Sequence, residues 1–400
     1  MRHKRKFRIR YILIPLLVIF VGMVSIFLHF GGMNAGPMSD PKEFARYASA
    51  VEELTVPTDA KIVALGEAAH GCREFQTLKK DIFAILVEKY GFQDFVLEGD
   101  YGGSMVVEDY IHGGSGSAQE AVSAIGFAIY RTKEMTDLVD WMRTYNETAP
   151  VGEDLHFHGM DMQRDRYVRE RLMQDCHAYG IEASLPEAGG TYDPEELDHI
   201  ARELTNKGAS PQQLYNITVL QQYQDLQDAG VNGSDLRDSY MADNVEWILH
   251  NTKTNKIFVS GHNSHIGKWG SVASMGNLLA EKEEDGYYAI GTDFSRIRDN
   301  VPNGKGKRTK QVFYSHDPLA NAAKEAGFDI CLVDLKAVPE ESTLGRQVND
   351  YMYMGSLGER YTFMMRLLPP SYRIFQPPAV LYDSMIFVSD AHPTEIFPGT

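Results

Sequence analysis

Cysteine is scarce. Cys72, Cys176 and Cys331 are the three in 400 residues, too few and too scattered for a disulfide framework or a zinc knuckle. A basic body is missing as well. The chain carries a net charge of −16, and taking away the six cations of residues 1–10 leaves −22 on the rest. That balance excludes a nucleic-acid partner, whose phosphates need a basic face. Several catalytic signatures are also absent. There is no HExxH, which excludes a zincin, and no Gly-x-Ser-x-Gly elbow, which excludes a serine esterase of the α/β-hydrolase type. No dinucleotide fingerprint follows any strand. Asn303-Gly-Lys-Gly-Lys-Arg308 lacks the Gly-Lys-Ser/Thr ending of a phosphate-binding loop and reads as a solvated turn.

Long apolar runs are rare too, with one exception. Tyr11 to Phe30 is a stretch of 20 residues with no formal charge, about 30 Å as a helix and enough to cross a bilayer. It is longer than the apolar core of a cleaved signal peptide. The basic residues 1–10 before it should stay in the cytoplasm. The expected organisation is a cytoplasmic tail over 1–10, a single-pass membrane anchor over 11–30 and a Gly-rich linker over 31–40. A globular body over 41–400 then lies outside the cytoplasm. Charged residues at 24% and hydrophobic residues at 43% suit a packed core rather than a disordered chain.

The body is organised around Lys61 to Asp100. Ile62-Val63-Ala64-Leu65 is a short apolar run bounded by Gly66 and reads as a buried strand. Phe75, Leu78, Ile82, Phe83, Leu86 and Tyr90 then recur at helical spacing. Phe95-Val96-Leu97 is a second strand ending on Glu98. Ligands meet α/β sheets at the carboxyl ends of strands, so Glu67, His70 and Glu98 are placed to share one crevice. Further strands are expected at 155–161, 256–260, 287–292, 311–314, 330–335 and 384–388. Helical periodicity over about 164–250 marks a mostly helical insertion. The expected fold is α/β, a central and mainly parallel sheet with helices packed on it.

Lys61-Ile-Val-Ala-Leu-Gly66 is echoed by Lys256-Ile-Phe-Val-Ser-Gly261. His70 lies four residues past the first Gly and His265 four past the second. Glu67 aligns with His262, and Glu98 with Asp293. This pattern points to a sheet of two related halves, bringing six polar groups to one cleft. A neutral imidazole can take a proton from water at neutral pH, and a neighbouring carboxylate holds its tautomer. His70 is therefore the expected general base, with Glu67 and Glu98 as its partners. His262 and His265 are placed to donate hydrogen bonds to a developing oxyanion. The same donor types can instead hold zinc or manganese for hydrolysis, so a metal-dependent hydrolase or protease stands as an alternative. A non-catalytic envelope protein binding a small molecule in the cleft is a third reading.

Gly66-Glu-Ala-Ala-His-Gly71, Arg73-Glu-Phe75, Leu86-Val-Glu88, Gly91-Phe92, Glu98, Trp141-Met-Arg143 and Gly159-Met-Asp161 follow in order. Arg237-Asp-x-x-Met-Ala-x-Asn244, His262-Asn-x-His265 and Tyr382-Asp-x-x-Ile-Phe387 come after them. In these residues the chain resembles the erythromycin esterase family over about 50–390. The resemblance implies an α/β sheet with a helical insertion. It implies hydrolysis of a small-molecule ester or lactone by a His-activated water, without a required metal or other cofactor. Carried over, His70 is the base, Glu67 and Glu98 support it, and His262 and His265 complete the cleft. Glu74, Lys79, Asp161 and Asp293 are the residues expected to contact substrate. Ala69 and Lys79 depart from the Thr and Arg that family members often carry. The anchor is a further departure, which puts macrolides, and with them antibiotic resistance, in question as the target. The oligomeric state is not legible.

Overall fold

The computed structural model describes residues 10–29, 39–230, 233–270, 274–366 and 369–398. Its strands are β1 Ala48–Ser49, β2 Ile62–Glu67, β3 Asp94–Asp100, β4 His156–Asp161, β5 Ile257–His262, β6 Tyr287–Pro302, β7 Arg308–Tyr314, β8 Ile330–Asp334, β9 Met352–Gly355, β10 Arg373–Gln376 and β11 Ser384–Ala391. One sheet takes the order β1-β8-β11-β6-β2-β5-β3-β4, with β7 paired to β6, while β9 and β10 form a separate ribbon. From β11 to β4 all pairings are parallel. Antiparallel pairings add β8, β1 and β7.

Both faces of the sheet are covered, which is why its central strands are continuous apolar runs. Ile62 and Ala64 enter one core, Val63 and Leu65 the other. The helices Arg166–Ala178, Pro194–Asn206, Pro211–Ala229 and Ser234–Asn251 fill the expected insertion. Leu172, Ile200, Leu220 and Val245 pack them on the Ile62 side. The helix Arg73–Tyr90 covers the other face through Phe83 and Leu86. Gly91, at φ 70, ends that helix in the left-handed conformation, and its N–H bonds the Leu86 and Val87 carbonyls.

The repeated segments are neighbours in space. β2 and β5 pair in parallel with Gly66 opposite Gly261 and Glu67 opposite His262, the same alignment that the sequence gives. Exchanging β2 with β5 and β3 with β6 maps the local order β6-β2-β5-β3 onto itself. Several strands are longer than expected, β6 most of all. β6 runs ten residues past Thr292 and pairs with β7 across the basic turn. Polar residues such as Arg296, Arg298 and Asn300 alternate with buried Ile297, Asp299 and Val301 there, a half-exposed pattern that an apolar-run criterion misses.

The first helix is Arg10–His29. Its side chains are described only over 13–25, and among the described residues no helix is long and apolar enough to cross a membrane. Over that part Leu13, Leu17, Val18, Phe20 and Met23 are exposed. The expected tail over 1–10 and linker over 31–40 lie almost wholly outside the described residues.

Candidate active site

The carboxyl ends of β2, β5 and β3 deliver Glu67, His262 and Glu98. His70 follows β2 by three residues. The short helix Asn263–Ile266 carries His265, and the helix Ser234–Asn251 brings Arg237 and Asp238 from the insertion. Gly66 is required by close approach, since a Cβ there would overlap the Asn263 side chain that ties β5 to the Thr292 carbonyl.

One half of the site is built on Glu67. Its Oε2 lies 3.5 Å from His70 Nδ1 and accepts from Gln76 Nε2 at 3.0 Å. Its Oε1 is 2.6 Å from Lys79 Nζ, and both side chains are wholly buried. Gln76 also donates to the His70 carbonyl at 2.9 Å, fixing acid and imidazole as one unit. Burial pulls the His70 pKa down, but Glu67, Glu98 and Glu359 outweigh it and leave it raised.

The other half is built on Glu98. Its Oε2 accepts from the His262 N–H at 2.8 Å, and its Oε1 from Arg237 Nη2 at 2.7 Å. Arg237 forks to Asp161 Oδ2 at 2.6 Å and 3.1 Å. His265 places Nε2 3.4 Å from Glu98 and Nδ1 2.8 Å from Asp238. Burial pushes the Glu98 carboxyl up, yet His265, Arg237 and His70 hold it well below the usual carboxylate range. Burial lowers His265, and Glu98 and Asp238 more than restore it.

His262 joins the halves. Its ring lies 4.8 Å from that of His70, and its Nδ1 accepts from the Ser264 amide at 3.3 Å and faces the Ser264 hydroxyl at 2.7 Å. Those partners assign the ring proton to Nε2, a buried atom that makes no hydrogen bond of its own. Burial, His70 and His265 push the His262 pKa well below its ordinary value, so the ring stays neutral. The site thus places an imidazole beside a buried carboxylate next to a neutral imidazole N–H. Beside it a cavity of about 310 Å³ is lined by Asp238, Asn263, His265, Trp269 and Ile374 among others.

All five residues expected to be catalytic lie in this constellation. The four expected to contact substrate are placed otherwise. Lys79 is buried behind Glu67 and neutralises it. Asp161 is fully buried and anchors Arg237. Glu74 grips His392 through ring and backbone at 2.8 Å and 2.7 Å. Asp293 is fully buried, accepting from the Phe294 and Gly355 amides. Burial and the adjacent Asp317 push its carboxyl well up, so its place in the repeat gives it no share of the cleft charge. Arg237, Asp238 and Gln76 were not singled out by chemistry. Arg237 and Asp238 do fall within a quoted motif, which is the signal available for them.

The depressed Glu98 makes a stability prediction. Its folded pKa lies below the ordinary unfolded value of about 4.3. Its contribution is therefore complete above that value and is lost as pH falls through the folded pKa. Acid unfolding below about pH 4.3 should be shallower in Glu98→Gln than in the parent, and identical acid limbs in the two would contradict it.

Fold and site together define an α/β protein with a His–carboxylate constellation at the strand ends. The chain belongs to the erythromycin esterase family, whose profile matches residues 87–230 and 193–391. It is 25% identical over 294 residues to an erythromycin esterase type II of Escherichia coli, covering 58% of this chain and 68% of that protein. Among solved structures, a Bacillus cereus protein superposes with TM-score 0.73 at 19% identity, covering 90% of this chain and all of that one. A succinoglycan biosynthesis protein gives TM-score 0.70 at 18% identity, over 89% and 98% of the two chains. An erythromycin esterase variant in its open conformation gives 0.55 at 16%, over 83% and 91%. These likenesses are ones of fold.

Proposed function

We propose that the protein is a membrane-anchored hydrolase of a small-molecule ester or lactone, with its body outside the cytoplasm. The observation that carries this reading is the pair of imidazoles 4.8 Å apart, His70 with Nδ1 3.5 Å from Glu67 Oε2 and His262 with Nε2 unpartnered. In it, Glu67 keeps the His70 proton on Nδ1 and leaves the Nε2 lone pair to deprotonate water. The hydroxide attacks the acyl carbon, and the oxyanion gains the His262 N–H as a donor. The proton taken by His70 then passes to the leaving alkoxide, so atoms and charge balance over the cycle. The Glu98–Arg237–Asp161 unit positions His262 through its backbone amide. The cavity with Trp269 and Ile374 takes the apolar part of the substrate.

Arg237 supports this metal-free reading over a metal-dependent one. A fixed guanidinium already neutralises Glu98 and Asp161, and a metal beside it would meet its repulsion. The assay is turnover of ester, lactone and peptide panels by the full chain in detergent, before and after chelation. Loss on chelation with recovery on zinc would move the assignment to the metal-dependent class. No turnover of any panel would favour a binding protein.

The anchor is supported by the exposed apolar side chains over 13–24 and the cations in residues 1–10. Protease added to intact cells should degrade the body. Protection until the membrane is broken would reverse the topology.

A further inference from the structure

A second cluster of imidazoles stands at the opposite pole of the sheet. β4 opens on His156 and closes on Asp161, so the two ends lie about 17 Å apart. Glu108 sits in the last turn of the helix Tyr101–Ile111, and His112 caps that helix. Glu108 Oε1 lies 2.8 Å from His156 Nδ1 and 3.4 Å from His112 Nδ1, so one carboxylate oxygen serves two rings. Those rings are stacked, centroids 5.1 Å apart. The other oxygen, Oε2, is fixed by the Phe157 N–H at 2.7 Å. The nearby His158 is held by Asp94 at 2.9 Å.

We propose that Glu108, His112 and His156 form a binding site for a divalent transition metal of the zinc type, joining that helix to the start of β4. Ligand atoms of all three lie within 4.8 Å of one another. In a tetrahedral site with bonds of about 2.0–2.1 Å, neighbouring ligand atoms are roughly 3.3 Å apart, close to the 2.8 Å and 3.4 Å present. Two imidazoles and one carboxylate are a donor set zinc accepts, leaving a position for water. The Phe157 amide supplies the outer hydrogen bond that orients a ligating carboxylate. The side chains are 28%, 34% and 28% exposed for Glu108, His112 and His156, so an ion reaches them from solvent. Binding costs the His112 Nδ1 contact with the Glu108 carbonyl at 3.0 Å and displaces the proton that His156 shares with Oε1.

This site is independent of the hydrolytic reading, because none of its residues enters the cleft. The test is calorimetric titration of zinc chloride into the full chain, purified in detergent without a polyhistidine tag and stripped with chelator. About one saturable equivalent is expected, with X-ray absorption showing a nitrogen and oxygen shell near 2.0–2.1 Å. His112→Asn, a mild change at a partly exposed helix cap, and His156→Asn should each weaken it roughly tenfold or more. His250→Asn, in the Glu246–His250–Glu283 group, should leave it unchanged. Absence of a saturable equivalent overturns the proposal. So does an equivalent that survives both His112→Asn and His156→Asn, or one lost in His70→Asn or His262→Asn instead.

Discussion

His70→Asn is expected to fold as the parent does and to lose turnover by about 10²–10⁴-fold, the size of a lost general base. Asn can place an amide N–H where the ring nitrogen stands 3.5 Å from Glu67 Oε2, and Gln76 still donates to that carboxylate. It has no basic nitrogen to take a proton from water. KM should change little, because the lost interaction belongs to the transition state. The parent's pH profile gives a second readout. The base works only when neutral, and its pKa is raised by Glu67, Glu98 and Glu359. Activity should therefore rise with pH along a limb centred above the ordinary imidazole value of about 6.5. In His70→Asn that limb should vanish from the residual rate. A folded variant keeping more than about a tenth of parental turnover removes His70 from the mechanism.

Lys79→Met is expected to give the largest loss of stability among single changes around the site, about 3–5 kcal/mol. The ammonium and the Glu67 carboxylate meet at 2.6 Å with neither exposed. Removing one partner leaves a buried charge without its closest counter-ion, and Gln76 and the more distant His70 ring offset it only in part. Met keeps the length of the stem, so packing against Tyr130, whose ring lies 5.3 Å from Nζ, is largely retained. The double change Glu67→Gln, Lys79→Met should recover part of the loss, since no lone charge remains. Thermal unfolding of the two single variants and the double variant reads this directly. A Lys79→Met protein as stable as the parent would show that the pair contributes nothing.

The parts of the fold legible in the sequence are those whose physics is local. Ile62–Leu65 and Phe95–Leu97 are apolar runs because parallel strands bury both faces. The ladder joining Gly66 to Gly261 could be read because both strands end alike. The outer part of β6 was hidden, because a half-exposed hairpin alternates polar and apolar residues instead of running apolar. Lys79 lies on the stripe of Phe75, Phe83 and Leu86, and a Lys on an apolar stripe must be paired. Its burial was therefore readable, though its partner was not. Arg237 and Asp238 reach the site from a helix more than 130 residues beyond Glu98. No spacing rule connects them, since the contact exists only after the insertion packs on the sheet. Asp293 shows the converse: a symmetric position in the repeat did not carry a symmetric role, because Asp317 and backbone amides enclose it.

The central claim is that His70 activates water for attack on an ester or lactone without a metal. Its most direct test is a single-turnover reaction of the metal-stripped full chain, in heavy-oxygen water, with an ester or lactone substrate found by the panel. The account predicts full activity and one heavy oxygen in the carboxylate product, with none in the alcohol. Heavy oxygen in the alcohol, or activity that disappears on stripping and returns with zinc, would contradict it.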